Sequence, residues 1–164
     1  MDWTSVVLRF AHVLSAVVWL GGVAYAVHFM QPGLRRLPPE AQDPAAVAIE
    51  ARASRGLAVS AAFVFVTGGL LVIRTLGLDG LENLFRTDWG RSIFLGFLLA
   101  VAMFLVRWRM VTGSLTRLKA LSEKGQATPD EASRLRQRAR RGGVISFGLG
   151  TLALLEMVIA REFH

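Results

Sequence analysis

Four long apolar stretches are the feature that most constrains the fold of this 164-residue chain. They cover residues 4–30, 56–76, 89–107 and 144–160, and each is near the ~20 residues that a helix needs to cross a bilayer. Backbone N–H and C=O groups find no water inside a bilayer, so a spanning segment of this kind must bond to itself as a helix. The sequence therefore predicts an all-α integral membrane four-helix bundle that forms a single domain over residues 1–164.

Basic residues are concentrated in two of the three connections between these stretches. Fourteen of the 19 Lys and Arg residues lie in residues 35–55 and 107–141, whereas residues 77–88 contain only Arg86. The positive-inside rule places the first and third connections in the cytoplasm, which predicts an N-out, C-out topology. The formal net charge of +7 is then a signal of topology and of contact with anionic lipid. The lipid bilayer is the predicted partner, and nothing in the sequence indicates a nucleic acid.

Helix-boundary signals predict that the connections are structured. Gly125 followed by Thr128 and Pro129 is typical of one helix ending and the next beginning. This pattern predicts a helical hairpin that extends the third and fourth spans into the cytoplasm. Asp43 followed by Pro44 predicts the start of the second helix.

One side of the first apolar stretch carries polar and ionisable residues at helical spacing. At 100° per residue the stripe contains Ser5, Arg9, His12, Ser15, Trp19, Val23 and Met30. Lipid offers an arginine or a histidine no partner, so this stripe is expected to face the protein interior. Ionisable groups in that position are candidates for function, which predicts a bound cofactor or ion.

Three ionisable residues from the other helices are predicted to lie at a similar depth, near the outer ends of their spans. Arg74, Arg91 and Glu156 would join Arg9 and His12 in the outer half of the bundle. A structural interpretation is also open, in which Arg74 and Arg91 extend to the outer headgroups and Arg9 and Glu156 form a buried ion pair. His12 is the strongest candidate, because a deep imidazole needs a polar partner.

Cysteine is absent from the chain, so disulfides, thiolate metal sites and covalently attached haem are excluded. Histidine and methionine remain as soft metal ligands. Met103 and Met157 are candidates on the third and fourth helices. His28 points to the other side of the first helix from His12 and is expected at the cytoplasmic interface.

Short motifs in three of the four helices resemble the copper-resistance D (CopD) membrane domain and the related four-helix HemJ-type protoporphyrinogen oxidases. The motifs are Arg9-Phe10-Ala11-His12-Val13 with Trp19-Leu20-Gly21-Gly22, then Thr67-Gly68-Gly69 and Trp89-Gly90-Arg91. Both families often have a lysine in the third helix, around the position where this chain has Gly96. That departure argues against the oxidase activity itself.

The first hypothesis that the resemblance implies is a haem b protein of the bacterial inner membrane, with a role in electron transfer or haem metabolism. His12 would be an axial ligand and Trp19 would pack near the ring. Arg9, Arg74 and Arg91 would bind the propionates, since guanidinium groups suit paired carboxylates. Glu156 is assigned to the same site by its depth. The sixth iron position is open: the iron would be five-coordinate or would share a ligand across a homodimer.

Two other hypotheses stay open. The CopD resemblance implies copper binding or transport through imidazole and thioether ligands, which suit copper. The candidate copper ligands are His12, Met157, Met103, Met30 and His28. The other hypothesis is a structural subunit of a larger membrane complex, held together internally by Arg9 and Glu156.

Overall fold

The structure is a computed structural model and describes residues 2–77, 80 and 82–163. The helices of this part of the chain are α1 (Trp3–Leu34), α2 (Pro39–Leu76), α3 (Asn83–Arg86), α4 (Asp88–Glu123) and α5 (Pro129–Glu162). The described residues form no strand, which confirms the prediction of an all-α chain. All of these helices except the short α3 are long and apolar enough to cross a membrane.

Side-chain caps begin the helices where the sequence has short polar residues. The Thr128 hydroxyl accepts a hydrogen bond from the Glu131 amide at 3.3 Å, and Pro129 is the first residue of α5. Gly125, with φ of +65°, lies in the turn between α4 and α5, a conformation that glycine adopts without strain. The prediction that α2 begins at Pro44 is wrong. The helix begins at Pro39 and accommodates Pro44 in its second turn, where the ring removes only one backbone hydrogen bond.

The four long helices run antiparallel, with α1 packed along α2 and α4 packed along α5. Trp19, Val23, Ala61 and Met103 form the core where these two pairs meet. Gly150 allows α5 to approach this core closely. A Cβ atom added there would lie 2.6 Å from Leu20 Cδ1 and 2.8 Å from Met103 Sδ.

We call the end of the bundle that holds residues 35–38 and 124–128 the basic end, and the opposite end, where the chain starts and finishes, the terminal end. Two π-helical segments lie near the basic end, Ala26–Met30 in α1 and Arg107–Thr112 in α4. They contact neighbouring glycines of α5: a Cβ added to Gly142 would lie 2.5 Å from Met110 Cβ, and one added to Gly143 would lie 3.4 Å from Val27 Cγ2. Segments of this kind recur at functional sites in helices.

The outer surface of the bundle is apolar over most of its length. Val7, Phe10 and Val17 of α1 are 63%, 66% and 62% exposed. A soluble protein would bury such residues, whereas a bilayer solvates them. At the basic end, α4 and α5 continue as the predicted hairpin. Leu118 and Ala139 belong to a second small core there.

Candidate functional site

His12 lies on the side of α1 that faces α2. Its Nδ1 atom is 3.1 Å from the Val64 carbonyl oxygen and 3.1 Å from the Thr67 hydroxyl. The carbonyl can only accept, and the Thr67 hydroxyl donates its own hydrogen to the Phe63 carbonyl. Both neighbours of Nδ1 are therefore hydrogen-bond acceptors, so the imidazole proton lies on Nδ1. In the neutral ring, Nε2 then carries the free lone pair.

Gly68 provides the space that the His12 ring occupies. A Cβ atom added to Gly68 would lie 2.9 Å from His12 Cε1, closer than real side chains pack. The neighbouring Gly69 has no such contact within 4 Å. Thr67 and Gly68 thus form the α2 side of the histidine site, one by bonding the ring and the other by leaving room for it.

The guanidinium groups near the terminal end are mostly engaged by other partners. Arg74 Nη2 lies 2.7 Å from the Asp2 carboxylate, and Arg74 Nε donates to the Ser5 hydroxyl at 2.8 Å. Arg91 lies 3.4 Å from the Asp88 carboxylate and donates to the carbonyl of Phe85 at 3.2 Å. Both arginines are exposed at the surface. They are not grouped in the interior with His12, contrary to the prediction from depth.

The predicted ion pair between Arg9 and Glu156 is not formed. Neither residue takes part in an ion pair of residues 2–77, 80 and 82–163. Arg9 is exposed because it lies at the edge of the α1 stripe, where the arc turns from the bundle to its surface. Glu156 is half-buried, and its Cβ packs 3.5 Å from the position that a Gly96 Cβ would take. The rest of the stripe, from Ser5 through Met30, is buried or half-buried as predicted.

The candidate copper ligands lie in separate packing contacts. Met103 is 2% exposed and is packed in the core against α5. Met157 has its methyl group against Gly96, and His28 is an exposed residue whose ring meets Phe147 edge-on at 4.9 Å. Among the residues that the structure describes, no three His, Asp or Glu side chains are grouped to hold a metal ion.

Trp19 is part of the hydrophobic core between the two helix pairs. It is 4% exposed, and its ring meets Phe65 in a T-shaped contact with centroids 5.7 Å apart. Trp19 lies two helical turns from His12 along α1. It therefore fixes the α1 to α2 packing that holds His12 against Gly68.

A buried polar cluster near the basic end was missed by the sequence analysis. Arg107 Nη2 donates to both carboxylate oxygens of Glu50, at 2.9 and 2.8 Å, and the Thr112 hydroxyl donates to Glu50 Oε1 at 2.9 Å. The Arg107 and Glu50 side chains are only 9% and 6% exposed. This is the one ion pair of the described residues in which both partners are buried.

Helical periodicity explains why the cluster was missed. Arg107 and Thr112 are five residues apart, which puts them about 140° apart on an α-helix. In the π-helical segment that contains both residues, positions i and i+5 are brought onto one side. The one available signal was Glu50 itself, the only acidic residue between Asp43 and Asp79.

A lateral cleft of about 250 Å³ lies beside this cluster, between α2 and α4. Its lining residues are Trp19, Ser54, Arg55, Leu57, Ala58, Phe104, Arg107, Trp108 and Thr112. The cleft combines an apolar wall with two guanidinium groups.

No protein family, curated protein or solved structure is detectably similar to this chain. The resemblance to CopD and HemJ-type proteins therefore stays a prediction that depends on the short motifs in α1, α2 and α4.

Proposed function

We propose that this chain is a multi-pass protein of the bacterial inner membrane that binds haem b through His12, with both termini outside and the basic end in the cytoplasm. Two observations support the membrane assignment. Large apolar side chains cover the outer surface of the bundle. Fourteen of the 19 basic residues follow the first or third span, as the positive-inside rule requires for this orientation.

The observation that carries the haem proposal is the geometry of His12. A histidine that ligates a metal typically donates its second ring N–H to a carbonyl or carboxylate, which fixes the tautomer and the ring orientation. His12 has this arrangement, with Nδ1 held by Val64 and Thr67 and with Nε2 as the remaining ligand atom. A single neutral imidazole of this kind fits the proximal ligand of a haem iron.

The guanidinium groups fit the propionates in part. Arg9 lies one turn of α1 from His12 and has no acidic partner among the described residues, so it is available to a carboxylate ligand. Arg74 and Arg91 are held by Asp2 and Asp88 instead. We therefore assign Arg9 as the first propionate partner. When bound, the haem would supply one-electron redox chemistry, and the protein residues would hold and orient it.

Copper binding has no specific observation in its favour. Its imidazole and thioether candidates would have to leave separate packing contacts to meet around one ion. The visible spectrum nevertheless distinguishes the hypotheses. Haem gives a Soret band, copper binding gives stoichiometric copper in a protein without that band, and a structural subunit gives neither.

The test is haemin titration of the detergent-purified protein, compared among the wild type, His12→Ala and His28→Ala. His28 is the matched control because it lies on the same helix and has no contact with Val64 or Thr67. We expect a saturable Soret band in the wild type and in His28→Ala, and its loss in His12→Ala with unchanged helical circular dichroism. Loss of the band in His28→Ala and its retention in His12→Ala would move the site to the basic end. No band in the wild type would overturn the haem proposal.

A further inference from the structure

We propose that the lateral cleft between α2 and α4 binds one anionic phospholipid. Its phosphate would lie at Arg55 and Arg107, and one acyl chain would lie along the apolar wall. The ligand class follows from three features of the cleft: its polar groups, its apolar wall and its place in the bundle.

Two arginines that line the cleft, Arg55 and Arg107, have guanidinium N–H groups without a hydrogen-bond partner among the described residues. Arg107 uses only Nη2 to bind Glu50. Its Nε and Nη1 atoms make no hydrogen bond within residues 2–77, 80 and 82–163. Neither of these two atoms is fully enclosed by the protein. They therefore keep some accessible surface, and Arg107 is one of the residues that line the cleft.

The net charge of these groups favours an anion. The charge of Arg107 is balanced by Glu50, whereas Arg55 lies in no ion pair of the described residues and contributes one uncompensated positive charge. A phosphate presents several acceptor oxygens that suit such guanidinium donors. Because Glu50 already holds Arg107 in place, the donors are oriented before any ligand arrives.

The rest of the cleft has an apolar wall that suits a hydrocarbon chain rather than a soluble phosphate. It is formed by Trp19, Leu57, Ala58 and Phe104. Trp108 lies at the same cleft and is 58% exposed, as tryptophans at the membrane interface commonly are. The cleft therefore presents charge and apolar surface side by side, which matches a lipid at the level of its headgroup.

The position of the cleft near the basic end points to the same ligand. Arg35 and Arg36 are exposed in the neighbouring part of the chain. Basic residues of this kind concentrate anionic lipids around a membrane protein, and pockets between helices can then select one headgroup.

The experiment is native mass spectrometry of the full chain, after release from detergent micelles that contain phosphatidylglycerol, phosphatidylcholine or no lipid. We expect one retained phosphatidylglycerol per chain and several-fold less phosphatidylcholine. Arg55→Ala should reduce retention of phosphatidylglycerol by about fivefold. Arg52→Ala removes another exposed arginine that does not line the cleft, and it should leave retention unchanged.

Two further measurements distinguish a site for a phospholipid from a site for a free phosphate. Ala58→Phe adds a bulky ring at the apolar wall of the cleft without changing any charge. It should reduce retention of phosphatidylglycerol as much as Arg55→Ala does. Glycerol 3-phosphate at millimolar concentration has the phosphate without the chain, and it should not displace the lipid. Any one of four results would overturn the proposal. These are equal retention of the two lipids, equal losses of lipid in the two arginine variants, no effect of Ala58→Phe, and displacement of the lipid by glycerol 3-phosphate. The outcome is independent of haem binding at His12.

Discussion

A single nitrogen, Nη2 of Arg107, bonds to both carboxylate oxygens of Glu50 in the interior of the bundle. The two helices that carry these residues are thereby joined at the π-helical segment of α4, where Thr112 completes the set of bonds to the carboxylate. Arg107 also lines the lateral cleft. The two opposite charges neutralise each other inside the bundle, where both side chains are mostly buried.

Removing one partner of this pair should destabilise the protein far more than removing both. Glu50→Leu or Arg107→Leu leaves an uncompensated buried charge, which costs about 3–5 kcal/mol, whereas an apolar replacement of both partners is often close to neutral. Thermal unfolding in detergent, followed by circular dichroism, measures the difference. Arg117→Ala is the control, because its ion pair with Glu131 lies at the surface and should contribute about 0–1 kcal/mol. A double variant whose loss equals the sum of the single losses would contradict the predicted coupling.

Asp2 should make the stability of the terminal end depend on pH. Hydrogen bonds from Ser5, and then from Arg74, lower the pKa of Asp2 from its usual 3.8 to about 2. Because the folded state binds this proton more weakly than the unfolded state, the contribution is complete above about pH 4 and is lost as the pH falls towards 2. Asp2→Asn should therefore destabilise the protein at pH 7 and lose its effect over this range.

Carbon-detected NMR of the Asp2 carboxyl group tests the cause of the lowered pKa. Ser5→Ala and Arg74→Gln should both raise the pKa of Asp2, because each removes a side-chain hydrogen bond to its carboxylate. An unchanged pKa in both variants would show that the contacts with Asp2 do not form.

Alanine substitutions at two neighbouring glycines should have opposite effects. Gly68→Ala places a Cβ atom 2.9 Å from the His12 ring, and overpacking of this kind costs about 1–3 kcal/mol. Gly69→Ala meets nothing within 4 Å and should be neutral or stabilising by up to about 1 kcal/mol through helix propensity. Thermal unfolding of the two variants in the same detergent measures the contrast. Equal stabilities would mean that His12 is not packed against Gly68.

The topology can be tested with single cysteines, because the natural chain has none. Gln126→Cys lies in the turn between α4 and α5, and it should react with a membrane-impermeant maleimide only after the cells are opened. Glu82→Cys, at the other end of the bundle, should react in intact cells. The opposite result would invert the predicted orientation.

Local features of this protein could be predicted from the amino-acid sequence alone. The length and apolar character of the four stretches predicted the number of long helices. Thr128 and Gly125 marked the hairpin through caps that involve only neighbouring residues. The 3.6-residue period also predicted correctly that His12, Trp19 and Val23 face the interior, since that period depends on one helix alone.

Contacts between ionisable residues, in contrast, depend on how the helices pack. Arg9 and Glu156 shared a predicted depth, but depth does not fix the rotation of two helices about their axes, and the pair is not formed. Glu50 and Arg107 are 57 residues apart, and a π-helical segment changes the angle between Arg107 and Thr112. Contacts of this kind arise from the packing of whole helices, so a pattern within one segment cannot predict them.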